Sequence, residues 1–236
     1  MLEINGINFN GKHSFEDFNL IMNSKTISTP SKKKIKIDVP FMNGNYDFST
    51  IGSNGEITYN QRTIEVHFTL LSTSKIKLHV ELTKVVEWLQ SVPQDELIFD
   101  DIKDYYFLAE VENEIAIEEK NNDAEITITF IANPFKTGVD YALNSLWDTF
   151  NFEEDYLQDA DYDIVGTKTI TIYNPGRLIT PTINCNATMT LTYNSVVYNL
   201  IIGDNKPYGL RLANGANDII IIGTGHIKIL FKKVNL

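Results

Sequence analysis

Residues 63–71 read TIEVHFTLL, and every second residue of this stretch is apolar. The apolar set is Ile64, Val66, Phe68 and Leu70. Because the side chains of a strand alternate between the two faces of a sheet, a period of two predicts a half-buried antiparallel strand. This stretch decides the fold class, and the chain is expected to be mainly β.

The same alternation recurs on both sides of residues 63–71. Strands are predicted within 33–39, 105–118, 124–131 and 167–173. In 33–39, the residues that share one face are Ile35, Ile37 and Val39. Two hairpins are predicted near the C-terminus, at 189–202 with a turn at Asn194-Ser195, and at 217–231 with a turn at Gly223-Thr224-Gly225.

One segment has the period of a helix. In 79–91, Leu82, Val85, Val86 and Leu89 follow the i, i+3, i+4, i+7 spacing of an amphipathic helix. Pro93 lies just after this segment, where a helix is expected to end. We expect this helix to cover the apolar face of a sheet.

The chain divides near Asn133-Pro134-Phe135, where the alternating pattern gives way to an acidic, irregular stretch. The prediction is an N-terminal domain at 1–137, a linker or variable segment at 138–166, and a C-terminal β-sandwich at 167–236 that has room to recruit part of the linker. Within 141–163, the spacing of Leu143, Leu146, Trp147 and Phe150 fits a short helix and an extended linker equally well.

Charge and cysteine content exclude some classes of protein. The net charge of −11 argues against a protein that grips nucleic-acid phosphates, because such proteins cluster Lys and Arg. The one basic run, Lys32-Lys33-Lys34, is interpreted as a charged strand edge. A single cysteine, Cys185, allows no disulfide within the chain and is interpreted as a small core residue. No apolar run is long enough to span a membrane.

Motifs for catalysis or metal binding are missing from the sequence. The four histidines show no metal-binding spacing. Asp159, Asp161 and Asp163 begin like a calcium loop, but Ile164 and Ile170 stand where that loop needs Gly and Glu. We therefore expect no enzyme, no bound metal and no cofactor.

Residues 39–50, VPFMNGNYDFST, combine turn chemistry with several aromatic residues. Asn43-Gly44 is a strong turn signal, and Phe41, Tyr46 and Phe48 surround it. From these residues alone, the stretch is either a hairpin connection within one subunit or a surface that meets another subunit.

Several short motifs occur in a recognisable order along nearly the whole chain. They are Phe9-Asn10-Gly11 with Ser14-Phe15-Glu16-Asp17-Phe18, VPFMNGNYDFS at 39–49, Tyr59-Asn60-Gln61-Arg62-Thr63-Ile64, Trp88-Leu89, Phe130 to Phe135, Asn174-Pro175-Gly176 with Pro181, and Leu212 to Asn217. In this order they resemble the distal tail protein (Dit) family of long-tailed phages, within the siphovirus tail-component family. Phe41 departs from the pattern, since the family has Gly after the proline.

The resemblance implies a fold and an assembly. The N-terminal part would be a β-sandwich-like domain with one α-helix, and the C-terminal part a galectin-like β-sandwich. Six copies would form a homohexameric ring, a hub that joins the distal end of the tail tube to the tip or baseplate. Its partners would be the tail-tube protein, the tail-tip or baseplate hub and receptor-binding proteins, with DNA only passing through the lumen. The protein would be made in the bacterial cytoplasm and reside in the virion, away from membranes.

The resemblance also gives candidate site residues. Candidates for the subunit interface are Phe41, Asn43, Tyr46, Phe48 and Arg62, and for Arg62 an ion pair within the subunit fits equally well. The alternative functions are a carbohydrate-binding module for host attachment and a related hub from a contractile tail or phage-like bacteriocin. Candidates for a glycan platform are Tyr193, Tyr198 and Tyr208.

Overall fold

The structure is a computed structural model that describes residues 5–53, 55–142 and 158–236. The chain forms two compact units, Met1–Lys136 together with Leu236, and Thr137–Asn235. The helix or linker considered for 143–150 lies outside the described residues. Of the rest of the predicted linker, 138–141 belong to one strand and 161–166 to the next.

The first unit is a β-sheet with one long helix. Its elements are β1 (Ile7–Phe9), β2 (Lys12–His13), α1 (Ser14–Phe18), β3 (Leu20–Ile27), β4 (Lys36–Asp38), β5 (Asn45–Asp47), β6 (Arg62–Leu71), α2 (Lys75–Gln90), β7 (Asp95–Phe99), β8 (Tyr105–Glu110), β9 (Ala116–Glu119) and β10 (Asp123–Tyr141), with 3-10 turns at Ile51–Ser53 and Asp100–Ile102. The sheet order is β2-β1-β7-β8-β10-β6-β3, and β9 also pairs with β10. β4 and β5 form a separate two-stranded sheet.

The core of the first unit confirms the periodicity of 63–71. Ile64, Val66, Phe68 and Leu70 are fully buried on one face of β6. Each such side chain contributes roughly 1.5–3 kcal/mol through burial. α2 adds five buried side chains to the same core, namely Leu78, Leu82, Val85, Trp88 and Leu89.

The long helix was predicted correctly, but it begins four residues earlier than expected. Ser74 caps it, because its hydroxyl accepts a hydrogen bond from the Lys77 backbone N–H. The short α1 was not predicted. His13 caps it through Nδ1, which accepts from the Glu16 N–H, and Asn19 ends it with a left-handed backbone.

The second unit is also β. The last part of β10, from Thr137, belongs to it with β11 (Asp161–Asn174), β12 (Thr182–Cys185), β13 (Met189–Tyr193), β14 (Val196–Leu200), β15 (Gly203–Asn205), β16 (Gly215–Leu230) and β17 (Lys232–Asn235). The sheet order is β14-β13-β16-β12-β15, β11 pairs with β16, and β17 pairs with β10. The mainly β prediction is therefore confirmed in both units.

Of the two hairpins predicted near the C-terminus, the structure confirms the first and contradicts the second. The hairpin over 189–202 is confirmed, and Asn194 and Ser195 form its turn with φ of 49° and 65°. The hairpin over 217–231 is wrong, because β16 runs through Gly223 and Gly225 and pairs with β11 from Lys228 back to Gly215. At these glycines β16 leaves β13 and begins to pair with β12.

The reason lies in two residues that are distant in sequence from these glycines. A Cβ at Gly223 would lie 2.8 Å from Met189 Cγ, and a Cβ at Gly225 would lie 2.4 Å from Asn186 Oδ1. The glycines, with φ of 156° and 150°, therefore let Met189 and Asn186 approach β16 closely and do not reverse the chain.

Candidate subunit-interface site

Two of the sequence motifs meet in one cluster of the first unit. The Trp88 indole N–H donates to the Phe9 carbonyl at 2.7 Å, and the Phe18 ring stacks on Trp88 at 4.6 Å. The Asn10 side-chain amide donates to the Trp88 carbonyl at 3.1 Å. The opening motif and the Trp-Leu motif thus hold β1, α1 and α2 together, which is a structural role.

A second pair of motifs forms a clamp between β6 and β10. The Arg62 guanidinium donates through Nε (3.1 Å) and Nη2 to the Pro134 carbonyl and lies 5.3 Å from the centre of the Phe107 ring. The Tyr59 ring meets the Phe135 ring edge to face at 5.7 Å. Arg62 is 5% exposed, and burial lowers its pKa. The acceptor of these Arg62 bonds is a carbonyl instead of the carboxylate of an ion pair considered from the sequence.

Residues 28–61 leave the sheet between β3 and β6, and we call them the arm. The two stems of the arm pair with each other, since the Ser28 N–H donates to the Thr63 carbonyl at 3.0 Å, Lys33 to Thr58 at 2.9 Å and Asn60 to Ser31 at 2.9 Å. The tip of the arm is the β4–β5 hairpin, which pairs with no other described strand.

The hairpin is amphipathic, and both of its faces are exposed. Ile37 stands opposite Tyr46, and the Phe48 N–H donates to the Ile35 carbonyl, so these four side chains share one face. With Val39, the members of this apolar face are 37–54% exposed. Because an isolated two-stranded hairpin is only marginally stable in water, this face is expected to need a cover.

Polar contacts order the opposite face of the hairpin. Lys34 Nζ donates to Asp47 Oδ2 at 2.9 Å, and the Ser49 N–H donates to Asp47 Oδ1 at 2.9 Å. Hydrogen bonds from the Ser49 side chain, from Lys34 and from the Ser49 N–H hold the pKa of Asp47 well below its usual range. A carboxyl with a lowered pKa keeps its contribution at neutral pH and loses it only as the pH falls through that lowered value.

Phe41 lies at the turn of the hairpin in an unusual backbone conformation. Its φ is 66°, in the left-handed region that glycine adopts without strain and bulky residues rarely adopt. Its side chain is fully exposed. Phenylalanine at this position therefore bears both backbone strain and an exposed ring.

Comparison with known proteins identifies the family. Residues 11–132, more than half of the chain, match the family described as phage tail protein RIFT-related domain. The chain belongs to this family. The resemblance to the siphovirus tail-component family that the motifs indicated is confirmed.

The fold of this phage tail protein is similar to a solved one over its whole length. The Dit protein of phage SPP1, described as a paradigm of the hub adsorption apparatus in phages that infect Gram-positive bacteria, matches with a TM-score of 0.71 and 12% identity, over 99% of this chain and 100% of that chain. A baseplate structure of phage P2 in its activated conformation with Ca matches with a TM-score of 0.45 and 8% identity, over 98% of each chain. Among curated proteins, none matches this sequence.

The three tyrosines considered for glycan binding differ in solvent exposure. Tyr193 is 8% exposed, and its hydroxyl donates to Asn217 Oδ1 at 2.7 Å. Tyr208 is fully exposed, and Tyr198 is half-buried with its hydroxyl 3.8 Å from where a Cβ on Gly209 would lie. The platform of three tyrosines stays a prediction, and Tyr208 is its accessible member.

His67 bonds to side chains of its own sheet, and Cys185 is buried in the core of the second unit. His67 Nδ1 bonds Thr127 Oγ1 at 2.9 Å and its Nε2 bonds Glu65 Oε1 at 2.8 Å, as a strand histidine would. Cys185 is 1% exposed, and burial raises the pKa of its thiol. In the described ranges, no group of His, Cys, Asp and Glu is arranged to hold a metal, and no helix is long and apolar enough to cross a membrane.

Sequence reasoning missed the exposure of the arm. Ile35, Ile37 and Val39 alternate like the buried residues of β6, so periodicity alone predicts a covered face for both. The charged residues next to the alternating stretch distinguish the exposed β4 from the buried β6, since Lys32 to Lys34 precede the hairpin and mark a solvated surface.

Proposed function

We propose that this chain is the structural hub of a phage tail, a homohexameric ring that joins the distal end of the tail tube to the tip or baseplate. Family membership supports a tail component of the virion, and the whole-length similarity to the SPP1 Dit fold supports the hub. The observation that carries the proposal is the arm, an ordered amphipathic hairpin whose apolar face is uncovered in the single chain.

The arm supplies one side of the contact between neighbouring subunits. Phe41, Asn43, Tyr46 and Phe48 lie on the hairpin or its turn, and aromatic residues among polar ones are typical of protein interfaces. Phe41 is the expected anchor, because a strained and exposed ring is retained only where a partner covers it. Arg62 lies at the base of the arm, where its bond to the Pro134 carbonyl holds the beginning of β6 in place.

The lumen of the ring would be lined by the outer face of β3, β6 and β10. Across this face many paired residues are polar, with Thr129 opposite Glu65, Thr127 opposite His67, and Thr26 next to Glu65 on the other side, whereas Ile131 stands opposite Thr63 and Ile21 next to Thr69. Each copy has a net charge of −11. DNA in the lumen would therefore be repelled by charge of its own sign and would slide through instead of binding. The second unit would dock receptor-binding or tip proteins.

The test is the removal of the arm. Replacing residues 34–49 by a three-residue Gly-Asn-Gly turn leaves the Lys33–Thr58 stem bond in place. We expect this variant to unfold at the same temperature as the full chain, since the hairpin pairs with no other described strand, and to sediment as a monomer under conditions where the full chain sediments as six copies. A shortened chain that still forms the ring would overturn the role of the arm.

A second candidate function is glycan binding by the second unit. Tyr208 favours it, because its ring is fully exposed in the loop that follows β15. Glycan-array binding by the full chain that Tyr208→Ala abolishes would support this function. Equal signals from both chains, or none, would reject it.

A further inference from the structure

Five Asn-Gly pairs occur in the sequence, and such a pair is where an asparagine most readily loses its amide without an enzyme. The glycine leaves its backbone nitrogen unshielded, because it has no side chain. The pairs are Asn5-Gly6, Asn10-Gly11, Asn43-Gly44, Asn54-Gly55 and Asn214-Gly215. Asn54 lies outside the described residues, and the four other pairs have different surroundings in the structure.

Two of these asparagines, Asn10 and Asn214, have side-chain amides that hydrogen bonds hold in place. The Asn10 Nδ2 donates to the Trp88 carbonyl at 3.1 Å and to Ser91 Oγ at 2.8 Å. The Asn214 Nδ2 donates to the two carbonyls of residues 175–176, at 3.2 Å and 2.8 Å. A carboxylate in place of either amide would face these oxygens without a proton to donate, so the fold opposes the conversion at both sites.

At Asn5-Gly6 the fold holds the glycine instead of the asparagine. The Gly6 N–H donates to Asp100 Oδ2 at 2.6 Å, and a Cβ on Gly6 would lie 2.6 Å from Ser14 Oγ. The Gly6 nitrogen can therefore attack the Asn5 side chain only after this bond breaks and the crowded backbone moves.

Asn43-Gly44 lies at the tip of the arm, in the turn between β4 and β5, and both residues are exposed. Within residues 5–53, 55–142 and 158–236, neither the Asn43 side-chain amide nor the Gly44 N–H has a hydrogen-bond partner. A Cβ on Gly44 would have nothing within 4 Å. The two reacting groups are thus free to meet without breaking a described contact.

The reaction at an unrestrained pair needs only water. The backbone nitrogen of Gly44 loses its proton to solvent base and bonds to the Asn43 Cγ, and the Cγ–Nδ2 bond breaks to release ammonia. Water then opens the resulting ring. Cleavage of the new Cγ–N bond gives aspartate, and cleavage of the original peptide C–N bond gives isoaspartate, whose main chain is one methylene longer.

We propose that Asn43 is a site of spontaneous modification, at which the tip of the arm exchanges an amide for a carboxylate, while Asn5, Asn10 and Asn214 are protected by the fold. The strands that flank the turn already carry Asp38 and Asp47. The conversion lowers the net charge by one, from −11 to −12, and places the new negative charge on the arm.

Peptide mapping of the full chain tests the assignment. The protein is kept at mildly alkaline pH, which favours loss of the nitrogen proton. Chymotrypsin, which cuts after Phe41 and Tyr46, then separates Asn43 from Asn54. Mass spectrometry should show Asn43 converting at least tenfold faster than Asn5, Asn10 and Asn214. Conversion of Asn43 no faster than that of these three would overturn the inference.

The same chain in concentrated urea is the control for the fold. Without the hydrogen bonds, the four asparagines should convert at rates within about threefold of one another, since each is followed by glycine. A tenfold advantage of Asn43 that persists in urea would show that its sequence neighbours select it, and would overturn the protective role of the fold.

A substitution at Gly44 tests the reacting nitrogen. Gly44→Ala should slow the conversion of Asn43 about tenfold, because a methyl group then shields the nitrogen, and should leave the rate at Asn54 unchanged. An unchanged rate at Asn43 would overturn the attack by this nitrogen.

The consequence for assembly rests on the proposed hub function. If the tip of the arm contacts a partner, six-copy species in an aged sample should contain at least twofold less converted Asn43 than monomers, as native mass spectrometry followed by mapping measures. Equal conversion in both species would overturn this consequence and leave the modification site standing. Conversion in a chain that never forms six copies would contradict the hub function alone.

Discussion

At Phe41 the backbone conformation and the side chain conflict in the isolated subunit. The φ of 66° suits glycine, and the exposed ring contacts water instead of protein. A bulky residue in this region costs on the order of 1 kcal/mol or more. Assembly would offset that cost by burying the ring, which is why we assign Phe41 as the anchor of the arm.

Phe41→Gly should therefore change stability and assembly in opposite directions. The free energy of unfolding of the monomer should rise by about 0.5–1 kcal/mol, because the strain is relieved. Ring assembly should weaken by about 2 kcal/mol or more, as for a hot-spot residue. Urea unfolding and sedimentation of the same samples measure the two effects. Tyr208→Gly, which removes an equally exposed ring from the second unit, is the control for assembly.

Arg62 is the second residue whose role a substitution can decide. Arg62→Ala should lower the free energy of unfolding by roughly 2–4 kcal/mol, because it leaves the Pro134 carbonyl and the Phe107 face without their cation. Lys84→Ala, on the exposed side of α2, should change it by less than about 0.5 kcal/mol. Unchanged unfolding together with lost hexamers would instead make Arg62 an interface residue.

Among the elements, β16 shows how a pair of glycines allows a close approach of other residues to a strand. Because Met189 and Asn186 pack where Cβ atoms would be, Gly225→Ala should lower the melting temperature markedly, through a loss of about 3 kcal/mol. Gly166→Ala is the control, since it has positive φ but open space around it, and should cost about 1 kcal/mol. Equal melting temperatures for the two variants would show that backbone conformation alone selects these glycines.

The elements also show how far the sequence predicts this fold. β6 and α2 are predicted from their periodicity because each packs one face on the core of its own unit. α1 is too short for a periodic signal, and its cap is a histidine. The continuation of β16 through its glycines depends on the close approach of Met189, which is more than thirty residues away, and no local pattern reports it.

The candidate site was predicted only in part. Residues 39–50 stood out by their aromatic content, and the structure places them on the exposed tip of the arm. The apolar residues of β4 alternate like those of a core strand. This alternation does not identify the surface that covers them.

At the scale of the whole molecule, the negative charge is expected to ease the passage of DNA. Phages that carry Glu65→Lys with Thr129→Lys, which face each other on the outer side of the sheet, should eject their DNA more slowly. Glu87→Lys with Gln90→Lys adds similar positive charge to the exposed side of α2 and should leave ejection unchanged. Equal ejection rates for both phages would place the lumen elsewhere.

The central claim is that copies of this chain close into a six-membered ring through the arm. Native mass spectrometry of the purified full chain, alone and with its tail-tube protein, tests it most directly. We predict a species of six times 26.8 kDa that disappears in the variant without residues 34–49. A strict monomer in both samples, or a ring that persists without the arm, would contradict the account.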